Sequence, residues 1–131
     1  MKLVRKMKNR KGFTLIELLI VVLVLAILMA VALPLYLAAV SDSQVKTCRA
    51  NMQTIANAEA AFKTQDPSHQ YTTDLADLDA NLGATPICPT GGTYSVSLDG
   101  GESESGKTVP AGALIISCDQ HGKFAPGYDS Q

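Results

Sequence analysis

Aromatic residues are scarce in this sequence. Its 131 residues include no tryptophan, and the three phenylalanines and four tyrosines make up only 5% of the chain. Proteins that bind single-stranded nucleic acid without sequence preference stack its bases on aromatic side chains. The composition therefore argues against a base-stacking surface of that kind.

Positive charge is scarce beyond the first twelve residues. Six of the eleven basic residues lie within residues 1–12, and five basic residues follow together with all twelve acidic ones. The formal net charge of −1 thus hides a charge of −7 for residues 13–131. Nonspecific binding to phosphate backbones depends on dense Lys and Arg, so we expect no direct binding of nucleic acid.

Signals of catalysis are also missing from the sequence. There are only two histidines, His69 and His121, and no G-x-S-x-G motif that would expose a nucleophilic serine on a strand-to-helix turn. Gly91 and Gly92 are too few for a phosphate-binding loop, and no lysine follows them at the start of a helix. We therefore predict that the protein is not an enzyme and has no cofactor.

Charge is absent from residues 18–40, a run of 23 residues that are mostly Leu, Val, Ile and Ala. As a helix rising ~1.5 Å per residue this run spans about 35 Å, which is enough to cross a hydrocarbon layer of ~30 Å. Basic residues stay on the cytoplasmic side. We therefore expect a single-pass protein of the cytoplasmic (inner) membrane with an external C-terminus.

Three interpretations of this apolar region compete. The basic start and the small residues Ala30, Val31 and Ala32 are typical of a cleaved secretory signal, while the length fits a plain membrane anchor. Neither needs Glu17, at the N-terminal end of the apolar region. A charge at the centre of a membrane helix costs ~2.5–3.5 kcal/mol, and such residues are usually paired and functional. Taken alone, Glu17 is also compatible with a tolerated interfacial carboxylate.

The residues around Glu17 read K-G-F-T-L-I-E-L at positions 11–18 and closely resemble the cleavage and methylation motif of type IV prepilins and pseudopilins. The resemblance implies that prepilin peptidase cuts after Gly12 and methylates the new N-terminus at Phe13. It also implies that Glu17 serves subunit assembly, together with Thr14.

Processing of this kind would supply Glu17 with a partner. Cleavage after Gly12 creates an α-amine at Phe13, which is normally cationic and stays so when methylated. This ammonium can neutralise Glu17 of a neighbouring subunit. Breaking a buried ion pair costs roughly 3–5 kcal/mol, so the pairing would select the register between subunits even if its net stabilisation is small.

A second pattern predicts that the helix continues beyond the membrane. Within residues 41–65, apolar or small residues recur at steps of three and four, which marks one face of a helix. These residues are Val45, Cys48, Met52, Ile55, Ala58 and Phe62. Asp66 precedes Pro67 and therefore disfavours helical geometry, so we predict a helix over residues 13–65.

Pro34 interrupts the apolar half of this helix. It removes one backbone hydrogen bond and predicts a kink or local opening, although membrane helices also tolerate proline. The pilin resemblance, which extends to about residue 62, assigns Pro34 to assembly, because pilins often carry a proline here and the preceding turns can unwind in the filament.

Residues 67–131 are predicted to form a small β-rich headgroup. Apolar residues indicate strands at 93–98 and 113–118, a polar Gly-rich turn lies at 99–106, and Thr73 is the predicted cap of a short helix. Such a small sheet needs a helix to cover it. The predicted fold is α+β and pilin-like, with a long N-terminal helix, apolar and then amphipathic, packed against a small antiparallel sheet.

Three cysteines are an odd number for an exported protein. Cys88 and Cys118 are the preferred disulfide pair, because both lie at the ends of headgroup elements and outside the membrane. Cys48 is then a free thiol, and its pairing with either of the others is an alternative that the sequence leaves open. Residues 88–94 and 118–122 are also similar to headgroups of competence-type and secretion-type pilin-like proteins.

The same region offers two candidate metal sites. His121, with Cys118, Cys88 and Cys48, offers four ligands of a type that zinc accepts, but paired C-x-x-C spacing is absent and an oxidising compartment favours disulfides. The acidic turn at 99–104 offers three carboxylates without the ligand spacing of an EF-hand calcium loop. We therefore predict no metal site.

Four segments follow from these patterns: a cleaved basic leader at 1–12, a transmembrane and filament-core helix at 13–40, an amphipathic helix half at 41–66 and the headgroup at 67–131. The expected function is that of a structural subunit of a type IV pilus-like filament, which is extracellular after assembly. The expected partners are other copies of the chain, prepilin peptidase, the pilus or secretion assembly machinery and the membrane.

Two distinctions stay open at this point. The alternative function is a membrane-anchored or secreted small binding module, in which the headgroup binds a ligand and the helix is only an anchor. Within the filament class, the chain is also compatible with a secretion pseudopilus or a competence (DNA-uptake) pilus.

Overall fold

A computed structural model describes residues 12–129 of the chain. Its helices are α1 (Leu15–Gln65), a short 3₁₀ helix (Leu75–Leu78) and α2 (Asp79–Leu82). Its strands are β1 (Tyr94–Ser97), β2 (Gly101–Glu102), β3 (Thr108–Val109), β4 (Ile115–Cys118) and β5 (Gly122–Phe124). The predicted α+β, pilin-like fold class is confirmed. Residues 1–11 of the predicted leader lie outside the described residues.

The chain divides into two compact units, residues 1–39 and residues 40–131. In the described part of the first unit, every large apolar side chain from Phe13 to Leu37 is at least 48% exposed. By its length and apolar composition, α1 can cross a membrane.

The α-helical backbone of α1 continues through Pro34. A proline removes a single backbone donor, and the turns on either side of it keep helical geometry. The unwinding of these turns in a filament stays a prediction.

In the second unit, α1 presents one buried face to the headgroup. The buried residues of this face are Cys48, Met52, Ile55, Ala56, Ala58 and Glu59, which confirms most of the predicted stripe. Val45 is 44% exposed, so the buried face begins one turn later than predicted. The helix ends at Gln65, directly before Asp66 and Pro67 as expected.

A three-stranded antiparallel sheet with the strand order β1-β4-β5 packs on this helix face. In its register Tyr94 lies opposite Cys118, and Ile116 lies between Val96 and Phe124. Along β1 the residues alternate between buried and exposed, as the sequence predicted. Strands β2 and β3 form a separate antiparallel hairpin within and beyond the predicted polar turn.

The short 3₁₀ helix (Leu75–Leu78) begins at a different cap from the one predicted. Its cap is Asp74 and not Thr73, because the Asp74 carboxylate accepts the Ala76 N–H at 2.9 Å. Leu78 is fully buried in the core. Helix α2 ends at Leu82 and is followed by Gly83, whose φ of 70° is positive, a conformation that glycine adopts without strain.

Candidate functional site

The proposed cleavage point lies at the start of the described residues. Gly12 and Phe13 precede α1 in non-helical backbone, and Phe13 is 82% exposed. Exposed non-helical segments at chain ends are where proteolysis concentrates. The bond between these two residues is therefore open to a peptidase in this conformation.

Thr14 and Glu17 form a reciprocal cap at the first turn of α1. The Glu17 carboxylate Oε2 accepts the Thr14 backbone N–H at 2.9 Å and the Thr14 hydroxyl at 2.9 Å. In return, the Glu17 N–H donates to Thr14 Oγ1 at 3.3 Å. This arrangement is a capping box, in which the cap residue and the third residue of the helix satisfy each other's backbone donors.

The capping box gives Glu17 a local role that sequence reasoning missed. The T-x-x-E pattern at residues 14–17 is a capping-box signature, so this signal was present in the sequence. A carboxylate at the first turn also lies near the positive end of the helix dipole. Glu17 thus has hydrogen-bond donors from its own chain.

A second group of chemically active side chains lies in the headgroup. Cys48 on α1, Cys88 in the loop before β1, Cys118 at the end of β4 and His121 in the β4–β5 turn point to a common centre. The four ligand atoms lie within 4.8 Å of one another. The three sulfur atoms belong to buried free cysteines, and His121 is half-buried.

Cys48 is held on its helix side by two polar neighbours. The Tyr94 hydroxyl donates to Cys48 Sγ at 3.4 Å, and the Asn51 side-chain amide donates to the Tyr94 oxygen at 3.0 Å. Burial raises the pKa of the Cys48 thiol to about 12. Cys48 is therefore an unreactive thiol as long as no cation stands beside it.

The pKa of Cys88 is shifted in the opposite direction. Burial disfavours its thiolate, but hydrogen bonds from the Thr90 hydroxyl and from the N–H groups of Thr90 and Gly92 outweigh that effect and lower the pKa of Cys88 to about 6. The Cys88 and Cys118 sulfur atoms are 3.7 Å apart. The predicted disulfide partners are thus neighbours in the fold, and their covalent pairing stays a prediction.

Gly92 is needed where the loop passes the sulfur atoms. A Cβ at this position would lie 2.8 Å from Cys118 Sγ and 2.7 Å from the Asp119 carboxylate, distances that side chains do not adopt. The Asp119 carboxylate also accepts the Thr93 N–H at 2.9 Å. These contacts hold the Cys88 loop against the Cys118 turn.

The carboxylates of the acidic turn at 99–104 face separate partners. Glu104 forms an ion pair with Arg49 on α1, and Asp99 accepts the Ser97 hydroxyl at 3.2 Å. They do not converge on a common centre in the described residues, so this turn is not organised as a calcium site.

Two further carboxylates are buried in the second unit. Asp129 accepts backbone N–H groups from Ala125 at 2.8 Å and from Ser105 at 2.9 Å. Glu59 on α1 is fully buried and accepts the Thr72 N–H at 3.1 Å through Oε2, while its Oε1 has no hydrogen-bond partner among the described residues. Both are structural groups, because each binds backbone donors of the same chain.

Comparison with known proteins gives one match. The family model described as the prokaryotic N-terminal methylation motif matches residues 7–33. No curated protein and no solved structure matches the chain. The matched segment contains the non-helical Gly12 and Phe13, the Thr14 and Glu17 cap and most of the exposed apolar part of α1. The match shows that the chain carries the prokaryotic N-terminal methylation motif, and it supports the resemblance to type IV pilins and pseudopilins.

Proposed function

We propose that this chain is the precursor of a structural subunit of a type IV pilus-like filament. Prepilin peptidase cuts it after Gly12 and methylates Phe13, and the assembly machinery then polymerises it from the cytoplasmic membrane. The observation that carries this proposal is the methylation motif at residues 7–33, which includes the start of a helix whose apolar side chains are exposed all around.

The processing step fits the local backbone. The bond between Gly12 and Phe13 lies outside α1, so the peptidase need not unwind the helix to reach it. The Thr14 and Glu17 cap then defines the first helical residue, Leu15. After cleavage, a single exposed residue, Phe13, precedes the cap and carries the new ammonium group.

Glu17 has room for a second partner during assembly. Both hydrogen bonds from Thr14 go to Oε2 of Glu17, and we assign Oε1 to the Phe13 ammonium of the next subunit. The Thr14 bonds hold the carboxylate in one orientation beforehand, which reduces the entropy lost when the neighbour docks. Thr14 is thus a positioning residue for assembly.

The apolar part of α1 supplies the packing surface. In lipid, helix association gains little from the hydrophobic effect, because lipid tails are as apolar as the side chains. Once a subunit leaves the membrane, burying one Leu, Val or Ile side chain is worth about 1.5–3 kcal/mol. The ion pair therefore sets the register in the membrane, and the apolar helices hold the filament together outside it.

The mature N-terminus tests the processing step. Intact-mass measurement and N-terminal sequencing of the chain, expressed with its peptidase, should give a protein that begins at methylated Phe13. A protein that still begins at Met1, or one that starts after Ala32, would overturn the proposal and favour the anchored or secreted binding module.

The assembly step is tested at Glu17. Glu17→Ala should leave membrane insertion intact and abolish filaments in the sheared surface fraction, because the Phe13 ammonium of the neighbour loses its partner. Asp42→Ala is the matched control, since Asp42 is also an exposed acidic residue on α1 but lies outside the methylation motif. Filament yield at the wild-type level for Glu17→Ala would contradict the assignment.

A further inference from the structure

The headgroup cluster around Cys48 contains a complete donor set for a transition metal. The three sulfur atoms come from three separate parts of the fold, and the fourth donor is the His121 ring. Structural zinc sites use four ligands drawn from Cys and His in tetrahedral geometry. The odd cysteine count, which disulfide pairing leaves unexplained, becomes a full set of four when His121 is included.

The spacing of three of the four donor atoms matches tetrahedral zinc geometry, and the Cys48 sulfur lies within 4.8 Å of each of them. With Zn–S distances of about 2.3 Å and Zn–N distances of about 2.0 Å, tetrahedral ligands stand about 3.8 Å apart for two sulfurs and about 3.5 Å apart for sulfur and nitrogen. In the headgroup, Cys88 Sγ and Cys118 Sγ are 3.7 Å apart. His121 Nδ1 lies 3.3 Å from Cys88 Sγ and 3.8 Å from Cys118 Sγ.

The groups around the donors orient them toward the centre. His121 presents Nδ1 to the sulfur atoms, and its Nε2 lies 3.4 Å from Thr90 Oγ1. In the tautomer with the proton on Nε2, that nitrogen donates to Thr90 and leaves the Nδ1 lone pair free for a metal. Outer partners of this kind fix the tautomer and orientation of metal-binding histidines.

The cysteines have corresponding outer partners. Thr90 Oγ1 lies 3.3 Å from Cys88 Sγ, and the Tyr94 hydroxyl donates to Cys48 Sγ. Three thiolates and one divalent cation carry a net charge of −1, which these hydroxyl donors help to stabilise. The glycine at position 92 leaves no Cβ in the space beside Cys118 Sγ.

We propose that Cys48, Cys88, Cys118 and His121 bind one Zn²⁺ ion, which fastens α1 to the loop before β1 and to the β4–β5 turn. The sequence led us to expect a disulfide and no metal here. A Cys88–Cys118 disulfide would use two of the converging donors and leave the Cys48 sulfur and His121 Nδ1 without a role, whereas one zinc ion uses all four. Binding displaces the protons of those thiols that are still protonated, and these protons pass to solvent.

Metal content of the full-length chain in detergent micelles is the first test. The protein, reduced and then dialysed with Zn²⁺, should retain one zinc ion per chain after desalting. Single substitutions Cys48→Ser, Cys118→Ser and His121→Asn should each cause loss of the bound zinc. His69→Asn is the matched control, because His69 is the other histidine and lies in an exposed loop. Zinc retained at the wild-type level by both Cys48→Ser and His121→Asn would overturn the proposal.

A measurement on the unaltered protein covers the case in which a variant fails to fold. Co²⁺ added to the reduced wild-type chain should give thiolate-to-metal absorption and the visible bands of tetrahedral cobalt, and Zn²⁺ should bleach both. A chelator should lower the melting temperature of the wild-type headgroup and leave that of His121→Asn unchanged. A reduced wild-type chain that binds neither metal would overturn the proposal.

The oxidation state of the cysteines in the cell distinguishes the zinc site from the disulfide. The chain isolated from its native membrane without reductant should carry bound zinc, and alkylation of a parallel sample under denaturing conditions with a chelator should block all three cysteines. A Cys88–Cys118 disulfide in that sample would overturn the zinc site in favour of the pairing predicted from sequence. None of these measurements depends on filament formation, so their outcome is separate from that of the proposed function.

Discussion

The two units of this chain use apolar residues in opposite ways. In the first unit the apolar side chains surround α1 and are at least 48% exposed, whereas Met52, Ile55 and Ile116 in the second unit are at most 1% exposed. A helix that is apolar all round has no preferred face, so it needs a bilayer or other copies to cover it. A helix with one apolar stripe needs only a small sheet. The first unit thus exposes an apolar surface that needs a cover, whereas the second unit buries its apolar residues in its own core.

The largest expected difference between the units is the loss of folding stability when a large apolar side chain is replaced by alanine. Ile116→Ala should lower the free energy of unfolding of the headgroup by about 2–5 kcal/mol, because it leaves a cavity in a fully buried site. Ile20→Ala, in the exposed part of α1, should leave that free energy unchanged. Urea unfolding of the full chain in detergent, followed by tyrosine fluorescence, checks both. If both variants lowered the free energy of unfolding equally, the contrast between the two units would be wrong.

A smaller effect is expected at Asp129. Burial disfavours its charge, but the N–H donors of Ala125 and Ser105 outweigh burial and lower its pKa to about 2 from an ordinary value of 3.8. The carboxylate therefore contributes about 2 kcal/mol of stability. That contribution is complete above about pH 4 and is lost as the pH falls toward the folded pKa of about 2.

Asp129→Asn should accordingly destabilise the headgroup at pH 7 and remove this acid dependence. Thermal unfolding between neutral and acidic pH measures the effect. Asp79→Asn, at an exposed aspartate, is the control and should keep the wild-type profile. An Asp129→Asn chain with an unchanged acid profile would contradict the role of these hydrogen bonds.

The smallest effect on the pH dependence of stability is expected at Glu59, where the pKa shift has the opposite sign to that of Asp129. Burial on α1, opposed by the Thr72 N–H and reinforced by the negative charge of Asp77, raises the pKa of this carboxyl. The folded state then binds the proton more tightly than the unfolded state. Stability from this group is present below the unfolded pKa and is lost as the pH rises through the folded value.

Glu59→Gln, which imitates the protonated acid, should flatten the pH dependence of the melting temperature in that range. It should also be no less stable than the wild type at neutral pH. A Glu59→Gln profile that still falls with rising pH would assign the effect to another group.

Local patterns predicted the parts of the molecule that depend on neighbours in sequence. The spacing from Cys48 to Ala58 marked the buried helix face, and Asp66 with Pro67 marked the helix end. The predicted cap of the short helix was wrong, because two neighbouring residues can both accept a backbone N–H at the start of a helix. Asp74 lies one residue after Thr73 and reaches the Ala76 N–H instead. Strand β5 was not predicted, because its three residues are too few to show an alternating pattern of apolar and polar side chains.

The two candidate sites differ in the same way: one is contiguous in sequence, and the other is assembled by the fold. The residues of the methylation motif are contiguous, so the sequence alone is enough to predict roles for Gly12, Phe13 and Glu17, and the capping-box pattern of Thr14 and Glu17 is present in the same string. The zinc-type cluster could be named only as a set of residue types. Its members come from α1, a loop and a hairpin turn, and no local spacing says whether they meet.

By itself the sequence determined that the chain has an uncharged membrane-length helix preceded by a processing motif and followed by an amphipathic helix, because these properties repeat within one or two helical turns. Only the tertiary structure decided that Cys48, Cys88, Cys118 and His121 face one centre. Their convergence depends on the register of β1 against β4 and on which face of α1 the sheet covers. A shift of one residue in a strand would turn Cys118 to the opposite face of the sheet.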